Sequence, residues 1–185
     1  MAAEHQKTNQ GFSISQLPGR VNVNAKEFAG TPTPQSEEGP FYKPGSPKRT
    51  KIAEPGTFGE KLIVEGYVFD KNCRPIKNAW LDFWQVDGRG LYDNVGFNLR
   101  GHQFTDNTGH YYLETIKPVR YGFRTAHIHV KLRANNRSPI LTTQLFLPRE
   151  KGNRGDPIFE SALLMKTVNS SDSKKVTFNF VLDID

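Results

Sequence analysis

An all-β fold is what this sequence predicts: a β-sandwich of mostly antiparallel strands with long loops and an extended N-terminal arm. Three observations predict it. Apolar and polar residues alternate over several short runs, the pattern of strands with one face in a core. Those runs are rich in β-branched and aromatic residues, which suit a pleated, half-buried surface. Turn-forming Gly, Pro, Asn and Asp separate them, and no repeat is present. With 185 residues, 36% hydrophobic and 11% aromatic, the chain is long enough for one domain with a genuine core.

Taken in order, residues 1–30 are polar and aperiodic, so a flexible N-terminal arm is expected there. Pro32, Pro34, Pro40, Pro44, Pro47 and Pro55 then forbid a helix and favour an extended, Pro-rich segment, residues 31–60, wrapping a folded body. The body is expected over residues 61–185. Residues 61–70, KLIVEGYVFD, read as its first strand, and the polar run to Asn78, with Pro75, as a turn. Residues 79–86, AWLDFWQV, form the second strand, broken by Asp87-Gly88-Arg89-Gly90. Residues 105–109, TDNTG, make a turn before a strand over residues 110–115. Further strands are expected over residues 124–132, 140–147 and 175–182, with one or two helical turns over residues 157–165.

The strand Arg124 to Leu132 carries the strongest chemical signal. Ala126, Ile128, Val130 and Leu132 share one face; His127, His129 and Lys131 share the other. At about 3.3 Å per residue the two histidines sit roughly 6.6 Å apart along the backbone, close enough for both imidazoles to reach one metal. Two such histidines can equally face solvent or cap a sheet. Further ligands could come from His102 or His110, from Asp87, Asp93 or Asp106, or from the phenols of Tyr92 and Tyr121; composition does not choose among them. The cupin version of H-x-H is disfavoured, because Arg133 and Ala134 stand where its glutamate would.

Charge and composition exclude other classes. The net charge of +6 would attract anions, but the basic residues are scattered and no basic stripe interleaves with aromatics, so no nucleic-acid partner is expected. Cys73 stands alone, which removes an intrachain disulfide and a cysteine zinc cage. The polar start, residues 1–11, argues against a secretory signal, and no run is long enough to span a membrane; a cytoplasmic protein is expected.

Several pieces then occur in a telling order. They are Gly66-x-Val68-x-Asp70, Ala79-x-x-Asp82-x-Trp84-Gln85, Gly90-x-Tyr92, Leu99-Arg100-Gly101 and Thr105-Asp106-x-x-Gly109-x-Tyr111. Pro118-x-x-Tyr121, Arg124-x-Ala126-His127-Ile128-His129 and Leu141-Thr142-Thr143-Gln144 follow. In this set, with the upstream segment 33–42, TPQSEEGPFY, the chain resembles the intradiol ring-cleavage dioxygenases, the family of catechol and protocatechuate dioxygenases. The resemblance covers roughly half the chain. It implies one Fe(III) per chain held by Tyr92, Tyr121, His127 and His129, with Tyr121 and His129 axial. It implies a catechol substrate, dioxygen as co-substrate and ring opening to a cis,cis-muconate-type product. It gives Tyr121 the further role of base for a substrate proton, Arg124 that of stabilising negative charge on the ring, and Gln144 a place near the iron. Phenolates and imidazoles are harder donors than thiolates and suit a trivalent ion. Trp84 is expected to pack the core and position the loop of Tyr92.

The sequence departs from the familiar members in two places. Only five residues separate Tyr121 from His127, where the well-known enzymes carry a longer insertion. A shallower, more open pocket is expected. The helical N-terminal dimerisation region of the catechol enzymes is not expected either, because the first 60 residues lack amphipathic helical periodicity; homo-oligomerisation stays open. Two other classes compete: an H-x-H zinc or copper hydrolase using a carboxylate, and a non-catalytic β-sandwich binding module.

Overall fold

The computed structural model describes residues 31–169 and 172–185. The N-terminal arm expected over residues 1–30 lies outside them. Among the described residues nine strands run in the order β1 (Lys61–Phe69), β2 (Trp80–Trp84), β3 (Arg100–Phe104), β4 (His110–Ile116), β5 (His127–Arg133), β6 (Leu141–Phe146), β7 (Lys166–Asn169), β8 (Asp172–Thr177) and β9 (Phe180–Val181). They make two sheets, one ordered β4-β1-β8-β7 with β9 also on β1, the other β3-β2-β5-β6. All pairs are antiparallel except β1 with β8 and β1 with β9. Two mostly antiparallel sheets sharing one core make a sandwich.

The alternation seen in the sequence builds that core. Leu62, Val64 and Val68 of β1 and Leu113 of β4 are buried with Leu81 and Phe83 of β2 and Ile128, Val130 and Leu132 of β5. Because side chains alternate across a strand, this commits Trp84, His127 and His129 to the opposite face of their sheet. Residues 31–60 run along the body in extended conformation. The Ser36 N–H donates to the Thr142 carbonyl at 2.9 Å, His102 N–H to the Pro47 carbonyl at 3.0 Å and Ile52 N–H to the Glu114 carbonyl at 3.0 Å.

Three features differ from the expected elements. β3 is an edge strand whose core-facing positions are Gly101 and Gln103 and whose other face carries the buried Arg100, so it lacks an alternating apolar series. β7 is a short edge strand with exposed ends. The strand expected over residues 175–182 is interrupted at Phe178 and Asn179. There the Asn179 side chain accepts from Tyr67 N–H at 3.0 Å and the Phe178 carbonyl accepts from the Tyr111 hydroxyl at 2.8 Å. Gly66 makes room for this: a Cβ on it would lie 1.9 Å from the Phe178 oxygen. The helical turn expected over residues 157–165 is a single 3-10 turn, Ser161–Leu163.

Candidate metal centre

His127 and His129 emerge from β5 opposite the core, and both are buried, at 5% and 3% exposure. Direct strand pairing sets Trp84 beside His129, and the two rings stack 4.7 Å apart at 6°. The wrapping segment covers His129 from the other side: a Cβ on Gly39 would sit 3.6 Å from its Cε1. His127 Nδ1 lies 2.6 Å from the Thr125 carbonyl. A carbonyl only accepts, so Nδ1 carries the proton and Nε2 presents its lone pair. The two Nε2 atoms are 3.1 Å apart. Burial pushes the His127 imidazole down to about 4, partly offset by the Thr125 carbonyl. Burial, then His127 and the Arg124 and Arg100 charges, holds His129 well below the ordinary histidine value. Both rings are therefore neutral donors at neutral pH.

Tyr92 reaches this pair from the loop after β2. Its hydroxyl lies 3.0 Å from His129 Nε2. Phe41 stacks on its ring at 4.5 Å, and the Arg100 guanidinium lies 6.0 Å from the ring centroid. Arg100 is itself fixed by the carbonyls of Asp93 at 2.9 Å and Phe41 at 2.6 Å, so it ties the tyrosine loop to the wrapping segment. Burial pushes the Tyr92 phenol up to about 12 against the pull of Arg124 and Arg100. Without a cation beside it, Tyr92 stays a neutral phenol.

Tyr121 begins a two-residue hairpin. Tyr121 N–H donates to the Arg124 carbonyl at 3.1 Å, and Arg124 N–H donates back at 2.9 Å. Gly122, at φ +58°, takes the first central position, where such a turn needs a left-handed residue. The Tyr121 ring meets Tyr92 edge-on at 5.5 Å and Phe41 at 5.6 Å. It is 38% exposed, and its hydroxyl makes no hydrogen bond among the described residues. The structure thus puts His129 in contact with both Tyr92 and His127, with Tyr121 beside Tyr92 at the mouth.

Arg124 follows the hairpin. Its Nε donates to Asp156 at 2.9 Å and its Nη2 to Gln144 Oε1 at 2.6 Å. Gln144, the β6 partner of His129, donates to the Glu37 carbonyl at 2.7 Å. Asp156 also accepts from the N–H groups of Thr125 and Ile158, each at 2.9 Å. Burial alone would raise this carboxyl; the Ile158 and Thr125 N–H groups and Arg124 outweigh it and hold it below the usual range. Asp156 escapes a reading of the sequence, because it is one of 19 acidic residues and has no motif around it.

The other sequence candidates go elsewhere. His102 Nδ1 bonds the Ser46 carbonyl at 2.8 Å, and His110 Nε2 faces Glu65 at 3.2 Å in the opposite sheet. Asp87, Asp93 and Asp106 cap backbone N–H groups of their own loops. Among the described residues no three His, Cys, Asp or Glu side chains cluster, which disfavours a hydrolase centre needing a carboxylate. The mixed set fits a metal better. Metal bonds of about 2.1 Å put adjacent donors roughly 3 Å apart, and His129 Nε2 has that spacing to both the Tyr92 oxygen and His127 Nε2.

The family model described as "Dioxygenase" matches residues 37–184. The catechol 1,2-dioxygenase of Acinetobacter baylyi is 28% identical over 182 residues, which cover 80% of this chain and 58% of that protein. The protocatechuate 3,4-dioxygenase beta chain of Burkholderia cepacia is 30% identical over 169 residues, covering 80% of this chain and 71% of that one. The chain thus spans little more than half the length of the Acinetobacter relative. Among solved structures, the dioxygenase domain of a dioxygenase–carbohydrate-binding fusion from Streptomyces sp. SirexAA-E is similar with a TM-score of 0.79 and 47% identity, covering 84% of this chain and all of that domain.

Proposed function

The chain belongs to the intradiol ring-cleavage dioxygenases, and on that premise we propose that it is a non-haem Fe(III) enzyme cleaving a catechol-type diol between its two hydroxyl-bearing carbons. The observation that carries this reading is a buried phenol 3.0 Å from a neutral imidazole, that imidazole 3.1 Å from a second one, beside a second tyrosine. Tyr92, Tyr121, His127 and His129 are the proposed ligands. When bound, ferric iron supplies a Lewis acid that holds both catechol oxygens and makes the ring reactive toward dioxygen.

The chain's own residues do the rest. The Thr125 carbonyl fixes the His127 tautomer, and Trp84 fixes the His129 ring. Tyr121, on a short hairpin at the mouth of the site, would be held by the ferric ion as a phenolate, and in that deprotonated form it is the base for a proton of the entering diol. Arg124, clamped by Asp156 and Gln144, presents a permanent planar charge where the ring gains negative charge. Phe41 and Trp84 line the site with apolar rings that keep water from the diol.

The test is metal analysis and a visible spectrum, before and after catechol, together with oxygen uptake. A red-brown protein with one iron per chain, whose band shifts on adding catechol and which consumes oxygen, is the expected result. A colourless, iron-free but folded protein that takes up no iron and no oxygen would sink the proposal.

A further inference from the structure

Beside the hairpin that carries Tyr121 lies a groove of about 1370 Å³. Single-ring substrates need far less, since pockets for drug-sized ligands run to roughly 300–1,000 Å³. Phe123 of the hairpin lines it, with Val119 and Arg120 just before the hairpin and Arg124 at its end, so the groove begins at a residue of the proposed catalytic site. Its far wall comes from the segment after β6, including Arg149 and Lys151.

Two properties of the walls are unusual together. First, large apolar side chains stand open: Phe58 is 57% exposed and Phe123 68%. Second, the cations outnumber their partners. Lys117 is paired with Glu150 at 2.7 Å, and Arg124 with Asp156. Arg120, Arg149 and Lys151 have no ion pair among the described residues, and the one remaining acid in the lining is Glu60. Apolar walls with a surplus of positive charge complement an aromatic or aliphatic chain that carries an anion.

We propose that this groove holds the non-reacting part of the substrate: a catechol bearing an extended, partly aromatic substituent that ends in a carboxylate. The assignment rests on the dioxygenase reading and adds a substrate class to it. The diol goes to the Tyr92–His129 site. The substituent passes Arg124 and lies against Phe123 and Phe58, and its carboxylate meets Arg149 and Lys151.

The test uses three probes: catechol, dihydrocaffeoyl-phenylalanine, and the amide of dihydrocaffeoyl-phenylalanine. The last two differ only in the terminal charge. Oxygen uptake is measured for the wild type and for an Arg149→Ala, Lys151→Ala double variant. In the wild type, kcat/KM for the acid should exceed that for the amide about fivefold, as two exposed charge pairs allow, with the difference in KM. The preference should shrink in high salt and vanish in the double variant. Should the double variant not fold, the salt dependence of the wild-type preference decides alone. Equal values for acid and amide in a wild type that consumes catechol would overturn the groove assignment and leave the dioxygenase reading intact. A preference that survives both salt and the double substitution would overturn it too. No uptake with any probe, by iron-loaded protein, would overturn the dioxygenase reading and the groove assignment with it.

Discussion

Replacing Asp156 by Ala removes one buried carboxylate and tests how Arg124 is held. The Asp156 side chain has 0% exposure and its Arg124 partner 11%. Breaking a buried pair costs about 3–5 kcal/mol, because one charge is left unmatched. The N–H groups of Thr125 and Ile158 also lose their acceptor, at about 1–3 kcal/mol each where water cannot replace it. Arg124 lines an open groove, so water recovers part of this. A net loss of about 3–5 kcal/mol follows, or a fall in Tm of roughly 10 °C for a chain of this length. Asp156→Asn keeps an acceptor oxygen and should lose about half as much. Both variants should lower kcat roughly tenfold to a hundredfold, the range for removing an orienting partner. Iron content and colour should be unchanged, because His127 is held by the Thr125 carbonyl rather than its N–H. The assays are thermal unfolding, iron analysis and oxygen uptake below both midpoints. Full kcat at a lowered Tm would refute the positioning role. So would lost iron in a folded variant, which would make Asp156 a support of the ligands instead.

Other expectations follow from single contacts. Tyr92→Phe deletes one phenol donor and should lower iron affinity about tenfold to a hundredfold and weaken the visible band, read by titration with iron. Trp84→Ala empties the space against His129 and should cost about 3–5 kcal/mol in urea unfolding. Gly66→Ala forces a Cβ within 1.9 Å of the Phe178 oxygen and should cost about 3 kcal/mol or more, again by urea midpoint. The pH dependence of stability should carry the mark of Asp156, whose carboxyl is held below its unfolded value near 3.9. Its contribution is complete above that pH and is lost as pH falls through the folded value, so acid denaturation should be shallower in Asp156→Asn than in the wild type.

How much of this was legible without coordinates varies with the physics of each residue. The two sheets were legible because burial imposes period two: Leu62, Val64 and Val68, and Ile128, Val130 and Leu132, announce their inward face. Strand β3 did not, because its core-facing Gly101 and its oppositely facing, buried Arg100 are each there for local reasons. Arg100 is buried yet satisfied by carbonyls of Asp93 and Phe41, and a Cβ on Gly101 would press on Ile52 at 2.7 Å. A buried charge or a missing side chain carries no apolar signal. The interruption at Phe178 was hidden in the same way, because it depends on a glycine more than a hundred residues earlier.

The site divides along the same line. The histidines are an i, i+2 pair, so the strand period alone puts them together. The tyrosines are 35 and 6 residues before His127, on separate loops, and nothing local says that their rings meet. Only the ordered motif linked them, and their contact depends on Phe41, brought in by the wrapping segment. Asp156 is the extreme case. It lies 32 residues after Arg124, just beyond the 3-10 turn Lys151–Arg154, and its pairing is decided by backbone N–H groups that every residue but proline has. A carboxylate chosen by backbone donors leaves no signature in its own neighbourhood. The residues that orient the arginine proposed for catalysis are therefore harder to read from sequence than the arginine, and Asp156 is where that difference can be measured.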